Sequence, residues 1–338
     1  MVGNLKKFSR GLVLVLASTF ILASCSAKDA ATSETPKDGV KQIGIIQHAQ
    51  HPALDAANQG FVKALEENGF KDGDKIKLIQ KNAQGEMPNN DTIAKKFVSD
   101  KVDLIFSIAT PSALAAQNST KDIPVVFTAV TDPVADKLVA SKDKPGANIT
   151  GTSDMAPIKD QLSTIKKIKP EAKKVGIIYN AGETNAVAQA KEAKKVCAEL
   201  GYTLVEQTIT STNDAAQATD ILASKVDVIY VPTDNMVVSA GAVVAEKAAA
   251  KKVPVISAEG SVVEAGGLLS EGLDYYKLGY NTGLMAVEIL NGSKKPADIS
   301  VKMADTFTLT VNKKTLEKIG MTLPKDLADK AKYVGGEK

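Results

Sequence analysis

Val102-Asp103-Leu104-Ile105-Phe106-Ser107-Ile108-Ala109-Thr110-Pro111-Ser112-Ala113 has an echo later in the chain, Val226-Asp227-Val228-Ile229-Tyr230-Val231-Pro232-Thr233-Asp234-Asn235. In each copy an apolar run bounded by polar residues reads as a strand buried on both faces that empties into a helix N-terminus. Downstream the echo continues, Asp122-Ile123-Pro124-Val125-Val126-Phe127 matching Lys252-Val253-Pro254-Val255-Ile256-Ser257. The chain therefore reads as two similar α/β halves, and its 338 residues suit two domains of ordinary size.

Outward from that stretch, strands and helices alternate from Gln42 onward. Asp132-Pro133 predicts an N-cap and N1 pair opening a helix, and Met236 to Lys251 predicts a single helix. Turn residues cluster at Asn148-Ile149-Thr150-Gly151-Thr152-Ser153-Asp154, where the rhythm restarts. Successive βα units imply an α/β fold of two doubly wound parallel-sheet domains. Ligands of such sheets bind outside the strand carboxyl ends, at helix N-termini, so a cleft between the halves is the expected site.

Residues 1–25 read as an export leader. Lys6, Lys7 and Arg10 precede an apolar run, Gly11 to Ala23, that is too short to span as an ordinary membrane helix, and small residues follow it. Its end, Leu22-Ala23-Ser24-Cys25, resembles the lipobox of bacterial lipoproteins, which implies lipidation of Cys25 and a membrane anchor. Residues 26–39 have almost nothing to bury and read as a disordered tether. Removing the leader's three basic residues leaves 39 Lys plus Arg against 39 Asp plus Glu. A balanced chain has no electrostatic footprint for nucleic acid, and no polybasic membrane patch is present. Only Cys197 then remains, in a helix-patterned segment, as a small buried hydrophobe rather than half of a disulfide.

Enzyme signatures are weak: there is no Gly-x-Ser-x-Gly, no Walker loop and no dinucleotide fingerprint after the first strand. No cofactor is expected. The body instead resembles the substrate-binding lipoproteins of ABC importers with the type I periplasmic-binding fold, in the family that includes tryptophan and tyrosine binders. The matching stretches are Ile43-Gly44-Ile45-Ile46-Gln47 to Asn58-Gln59-Gly60-Phe61, Ala109-Thr110-Pro111-Ser112-Ala113, Phe127-Thr128-Ala129-Val130-Thr131-Asp132-Pro133-Val134, Asn148-Ile149-Thr150-Gly151 and Leu273-Asp274-Tyr275-Tyr276-Lys277-Leu278-Gly279. The resemblance implies an interrupted layout, with residues 40–151 and 275–302 in an N-terminal domain and 152–274 and 303–338 in a C-terminal one. A three-segment hinge would lie near Gly151 to Ser153, Asp274 to Lys277 and Val301 to Asp305. It further implies an extracytoplasmic, monomeric receptor for an amino acid, aromatic by family, that docks on an ABC permease with its cytoplasmic ATPase. A nucleoside or sugar receptor of the same fold is the alternative, with a surface enzyme or a sensor behind it.

Thr110-Pro111-Ser112 places a capping hydroxyl and a proline at a helix mouth, and the amides of Ser112 and Ala113 would suit a carboxylate. Asp234 and Asn235 occupy the equivalent mouth in the second half, where an acid would hold an ammonium. Asp234→Ala is accordingly expected to weaken amino-acid binding and leave the fold intact. Glu183 and Asn185 sit at another second-half mouth, and Glu259 at a third. Gln47, His48 and His51 follow the first strand as candidate pocket walls, with Ser107 and Thr128 on strands nearby. His48 and His51 could begin a metal site, but no Cys or third His is available to complete one, so no metal is expected.

Overall fold

The computed structural model describes residues 39–336. The expected leader, its lipobox Cys25 and the tether up to residue 38 lie outside the described residues.

The first half runs β1 (Lys41–Gln47), α1 (Pro52–Glu67), β2 (Ile76–Asn82), α2 (Met87–Ser99), β3 (Leu104–Ile108), α3 (Thr110–Ser119), β4 (Val125–Val130) and β5 (Ile149–Ser153). The second half continues with α4 (Ile158–Ser163), α5 (Ile165–Ile168), β6 (Lys174–Asn180), α6 (Thr184–Leu200), β7 (Thr203–Ile209), α7 (Ala215–Ala223) and β8 (Val228–Val231). It then adds α8 (Asn235–Ser239), α9 (Gly241–Ala250), β9 (Val255–Ser257), α10 (Gly260–Glu264) and β10 (Leu269–Leu273). The chain closes with α11 (Tyr275–Leu290), β11 (Lys302–Met303), β12 (Phe307–Asn312), α12 (Lys313–Ile319), α13 (Lys325–Ala328) and β13 (Lys332–Val334).

Two sheets form, in the orders β11-β5-β4-β3-β1-β2 and β13-β12-β10-β9-β8-β6-β7. All pairs are parallel except β10 with the returning β12. The echoed strands β3 and β8 hold the same place, each beside the first strand of its half, and every residue of both is buried. That burial on both faces explains the unbroken apolar runs. The order reverses between β1 and β3, and again between β6 and β8, so crevices open at the carboxyl ends of those strands.

Chain crossings are visible in the pairing. Thr152 and Ser153 of β5 pair with β11 in the first sheet, whereas β12 pairs with β10 in the second. Helix α11 packs along α1, with Phe61 of α1 stacked on Phe106 of β3 beneath it, ring centroids 3.7 Å apart.

Two helix expectations need correction. After β4, Asp132-Pro133 opens a turn and not a helix: the Asp132 carboxylate accepts from the amides of Val134 and Ala135, and Lys137 at φ 58° reverses the chain. The amides of Leu138 and Val139 then return to the Pro133 carbonyl. The predicted helix from Met236 to Lys251 divides at Ala240, whose ψ of 10° leaves helical geometry between α8 and α9.

The α1–α11 crossing leaves no room for side chains. A Cβ on Gly279 would lie 1.8 Å from the Ala57 carbonyl oxygen, and one on Gly60 would lie 2.0 Å from that of Tyr276. Gly279→Ala must push the helices apart, and the expected loss is about 1–3 kcal/mol, read as a lowered urea midpoint. A midpoint equal to that of the parent protein would show that the crossing yields freely.

Candidate ligand site between the two sheets

The carboxyl ends of the two sheets face one small cavity of about 10 Å³, room for about one water molecule. From the first sheet's side come His51 and Leu54 at the start of α1, Ala129 and Thr131 at the end of β4, Asp154 after β5 and Tyr275 at the start of α11. From the second come Asn185 on α6, Thr233 and Asp234 after β8, Asn235 and Val238 on α8, and Glu259 before α10. Three of these are buried carboxyls, and no lysine or arginine lines the cavity among the described residues.

Asp154 is the end of a directed hydrogen-bond chain. Tyr275 Oη donates to its Oδ2 at 2.9 Å and Thr131 Oγ1 to its Oδ1 at 3.2 Å. With its proton spent on Asp154, Thr131 Oγ1 accepts from Thr233 Oγ1 at 3.2 Å, across the cleft. Thr233 Oγ1 in turn accepts from Gln189 Nε2 at 2.5 Å, and Gln189 Oε1 accepts from the Thr233 amide. Burial pushes the Asp154 carboxyl up from its ordinary value, while Tyr275 and Thr131 oppose that rise by bonding the charged form.

Asp234 is differently employed. Its Oδ1 accepts from the Val237 amide at 2.9 Å as the N-cap of α8, and its Oδ2 accepts from the Asn180 amide at 2.5 Å, tying α8 to the end of β6. Burial, then the neighbouring Glu183 carboxylate, push its pKa up. Glu183 stands behind the cavity wall, accepting from Asn235 Nδ2 at 2.5 Å and from the amides of Asn235 and Met236. Glu259 has a single side-chain donor, Ser261 Oγ; burial pushes its carboxyl up to about 7, with the Asp154 and Glu264 charges adding to the rise.

Two neutral side chains complete the polar wall. His51 Nε2 meets Asn235 Oδ1 at 3.3 Å, joining the two sides, and burial lowers the ring's pKa to about 4. Asn185 Nδ2 donates to the Thr233 carbonyl at 2.8 Å.

Of the residues named from sequence, His51, Asn185, Asp234, Asn235 and Glu259 thus meet at the cavity, with Glu183 supporting Asn235. The first-half group turns elsewhere. Gln47 donates to Asp55 and to the Ala49 carbonyl, Ser107 to the Val126 carbonyl, and Thr128 shares a hydroxyl contact with Thr152 inside the first sheet's core. His48 Nδ1 and Ser112 Oγ both bond Asn90, so His48 and His51 do not converge. Ala113 lies in the apolar core.

The proposed anion grip at α3 takes a different form from that expected. The N-cap is Ala109, held at φ 80°, so Thr110 is already inside the helix and makes no capping bond. The Ala113 amide is occupied by the Ala109 carbonyl. Sequence reasoning missed Thr131, Asp154, Thr233 and Tyr275 as site residues. The available signal was position: Asp154 directly follows β5, and Tyr275 stands two residues past β10, each at an expected crossing between the halves.

Two parallel sheets presenting their carboxyl ends to a shared cavity, with the chain passing repeatedly between them, define a type I periplasmic-binding-protein architecture. The chain belongs to the ABC transporter substrate binding protein family, whose model matches residues 42–334. It is 45% identical over 336 residues to the tyrosine-binding protein of Clostridioides difficile, covering 97% of this chain and 96% of that one. It also resembles an ABC domain from Streptococcus pneumonia solved in complex with L-Trp, at 36% identity and a TM-score of 0.84, covering 87% of this chain and 99% of that one. A ligand-free, open substrate-binding protein with adhesive properties from Clostridium difficile is 47% identical, covering 88% and 100%, with a TM-score of 0.67. The shape is therefore nearer to the L-Trp complex than to the open form that is closer in sequence, in keeping with the bonds that cross the cleft. Proteins of this family bind substrates and are not enzymes.

Two outcomes follow from the geometry. Asp234→Ala would leave the Val237 and Asn180 amides unpaired, so contrary to the sequence expectation it should cost about 2 kcal/mol or more, read as a lowered urea midpoint. An unchanged midpoint would remove Asp234 from the framework. For Glu259, the folded protein binds the proton more tightly than the unfolded chain, whose carboxyl has a value of 4.5. Stability should therefore fall as pH rises from about 4.5 to about 7 and level off above. Thermal midpoints across that range should show a shallower decline in Glu259→Gln than in the parent, and parallel curves would refute the assignment.

Proposed function

We propose that this protein is an extracytoplasmic solute-binding lipoprotein of an ABC importer that captures an aromatic amino acid, tyrosine or tryptophan, and delivers it to a permease coupled to a cytoplasmic ATPase. The single observation that carries the reading is the set of buried carboxyls Asp154, Asp234 and Glu259 around a cavity with no lysine or arginine in its wall among the described residues. Such a wall favours a cation over an anion, and the α-ammonium of an amino acid is a cation. Leu54, Val238 and the ring of Tyr275 provide the apolar contact that a side chain requires. The relatives named for tyrosine and solved with L-Trp support the aromatic class. A neutral nucleoside or sugar would bring no positive charge to carboxyls whose ionised form burial disfavours.

In this reading the monomeric body hangs from the membrane through a lipidated Cys25 and a tether. Its lobes, residues 40–151 with 275–302 and residues 152–274 with 303–338, close on the ligand about the three crossings. Contacts made only in the closed form, such as His51 to Asn235 and Thr131 to Thr233, would supply the differential affinity that closure requires.

A thermal-shift screen tests the proposal. Purified protein should show a concentration-dependent rise in melting temperature with L-tyrosine or L-tryptophan, about 2.7 kcal/mol of stabilisation at a hundredfold excess over the dissociation constant. A rise with inosine or glucose and none with any amino acid would overturn it.

A further inference from the structure

The two orphaned polar atoms in the cavity wall have a common character. His51 Nδ1 and Asn185 Oδ1 have no hydrogen-bond partner among the described residues, although His51 is 6% and Asn185 4% exposed. A buried polar atom without a partner is destabilising, so each is a place where a ligand can offset a standing penalty.

Which kind of ligand group they need follows from their partners. Carboxylate oxygens only accept, so the short contact from Glu183 Oε2 fixes the Asn235 amide with its NH₂ toward Glu183. Asn235 Oδ1 therefore faces His51, and His51 must carry its proton on Nε2 to bond it. That leaves Nδ1 as a bare lone pair. The ring stays neutral because burial holds its pKa near 4. The same logic applies to Asn185: the Thr233 carbonyl only accepts, so the amide presents Nδ2 to it and leaves Oδ1 free. Both open positions are acceptors, and one comes from each side of the cleft.

We propose that His51 and Asn185 are the residues that read the ligand's α-amino group. Each accepts one of its N–H donors, so that the ammonium bridges the two lobes while the surrounding carboxyls supply the charge. This rests on the amino-acid reading above and adds the atoms that enforce it. Glu183 is a positioning residue here: acting through Asn235, it sets the tautomer of His51 without touching the ligand. A carboxylate at this point would face lone pairs on every side, and a hydroxyl has only one proton to offer the two acceptors. A protonated amine has a donor for each.

Calorimetry with L-tyrosine and with 3-(4-hydroxyphenyl)propanoate, which lacks the amino group, tests this in the parent protein, His51→Ala and Asn185→Ala. Each substitution should weaken L-tyrosine about ten- to hundredfold and change the propanoate by less than about threefold, because the lost bond exists only with the amine. Equal losses for both ligands, or no loss for L-tyrosine in either variant, overturn the proposal while leaving the receptor assignment standing. Failure of the parent protein to bind either L-tyrosine or L-tryptophan overturns both. Substitutions on two different helices guard against one variant misfolding. For Glu183, ¹⁵N spectra of imidazole-labelled protein saturated with L-tyrosine should show His51 protonated at Nε2. Glu183→Gln, which keeps an acceptor for Asn235, should retain that tautomer, and Glu183→Ala should mix the two. An Nδ1-protonated ring in the parent protein overturns the assignment.

Discussion

Carboxyl groups buried around one cavity that no lysine or arginine among the described residues lines are the constraint on which the rest of this molecule depends. Each of Asp154, Asp234 and Glu259 is 3% exposed or less, and desolvation disfavours the charged form of all three. The chain meets that cost in three ways. Asp234 spends both oxygens on backbone amides, Asp154 takes hydroxyl protons from Tyr275 and Thr131, and Glu259 takes only that of Ser261. The gradient is from a framework carboxylate to one with accepting capacity left over. Glu259 and Asp154, which press on each other electrostatically, are accordingly where an arriving positive charge does the most.

The fold makes this placement possible. Asp154 and Tyr275 stand at the ends of β5 and β10, where the chain leaves one sheet for the other, so their hydrogen bond ties two crossings together at the cavity. Tyr275 also begins α11, which is clamped to α1 through the glycine crossing, and α1 begins beside His51. The site's first-lobe wall is thus mounted on one tightly packed helix pair. A cavity wall held by close backbone contact keeps its polar atoms in place without needing further polar partners.

The architecture was legible because repetition and burial both leave marks in sequence. Gly44 and Gly176 stand at matching places in β1 and β6, facing Phe97 and Leu222, and the echoed strands β3 and β8 fall at matching positions in their sheets. The second-lobe mouths were legible too, since Asp234, Asn235, Asn185 and Glu259 lie in the turns or first helical residues that follow strands β8, β6 and β9 and line the cavity. The first-lobe mouth was not. Its hydroxyls look like ligand contacts, but the positive φ of Ala109 starts α3 one residue earlier, leaving Thr110 with no capping bond, and Asn90 takes Ser112. Asp154 escaped notice because a residue at a crossing reads as a joint, and nothing local shows that the joint opens into the cavity.

Arg10 is the sole arginine of the chain, and it lies outside the described residues. The body therefore has no guanidinium with which to clamp a carboxylate through two parallel hydrogen bonds. If the ligand is the amino acid proposed above, its recognition would be lopsided: buried charge and lone pairs would meet its positive end, and neutral donors alone its negative end. Hydroxyls such as Thr131 and Thr233 are already committed to the chain that ends on Asp154. What remains for a carboxylate is backbone N–H, and α1 offers it beside His51, where no side chain caps the helix and its first-turn amides have no intrahelical partner. On that reading the site would take its selectivity from the amine end, because only there would a mismatched ligand leave buried charge unanswered.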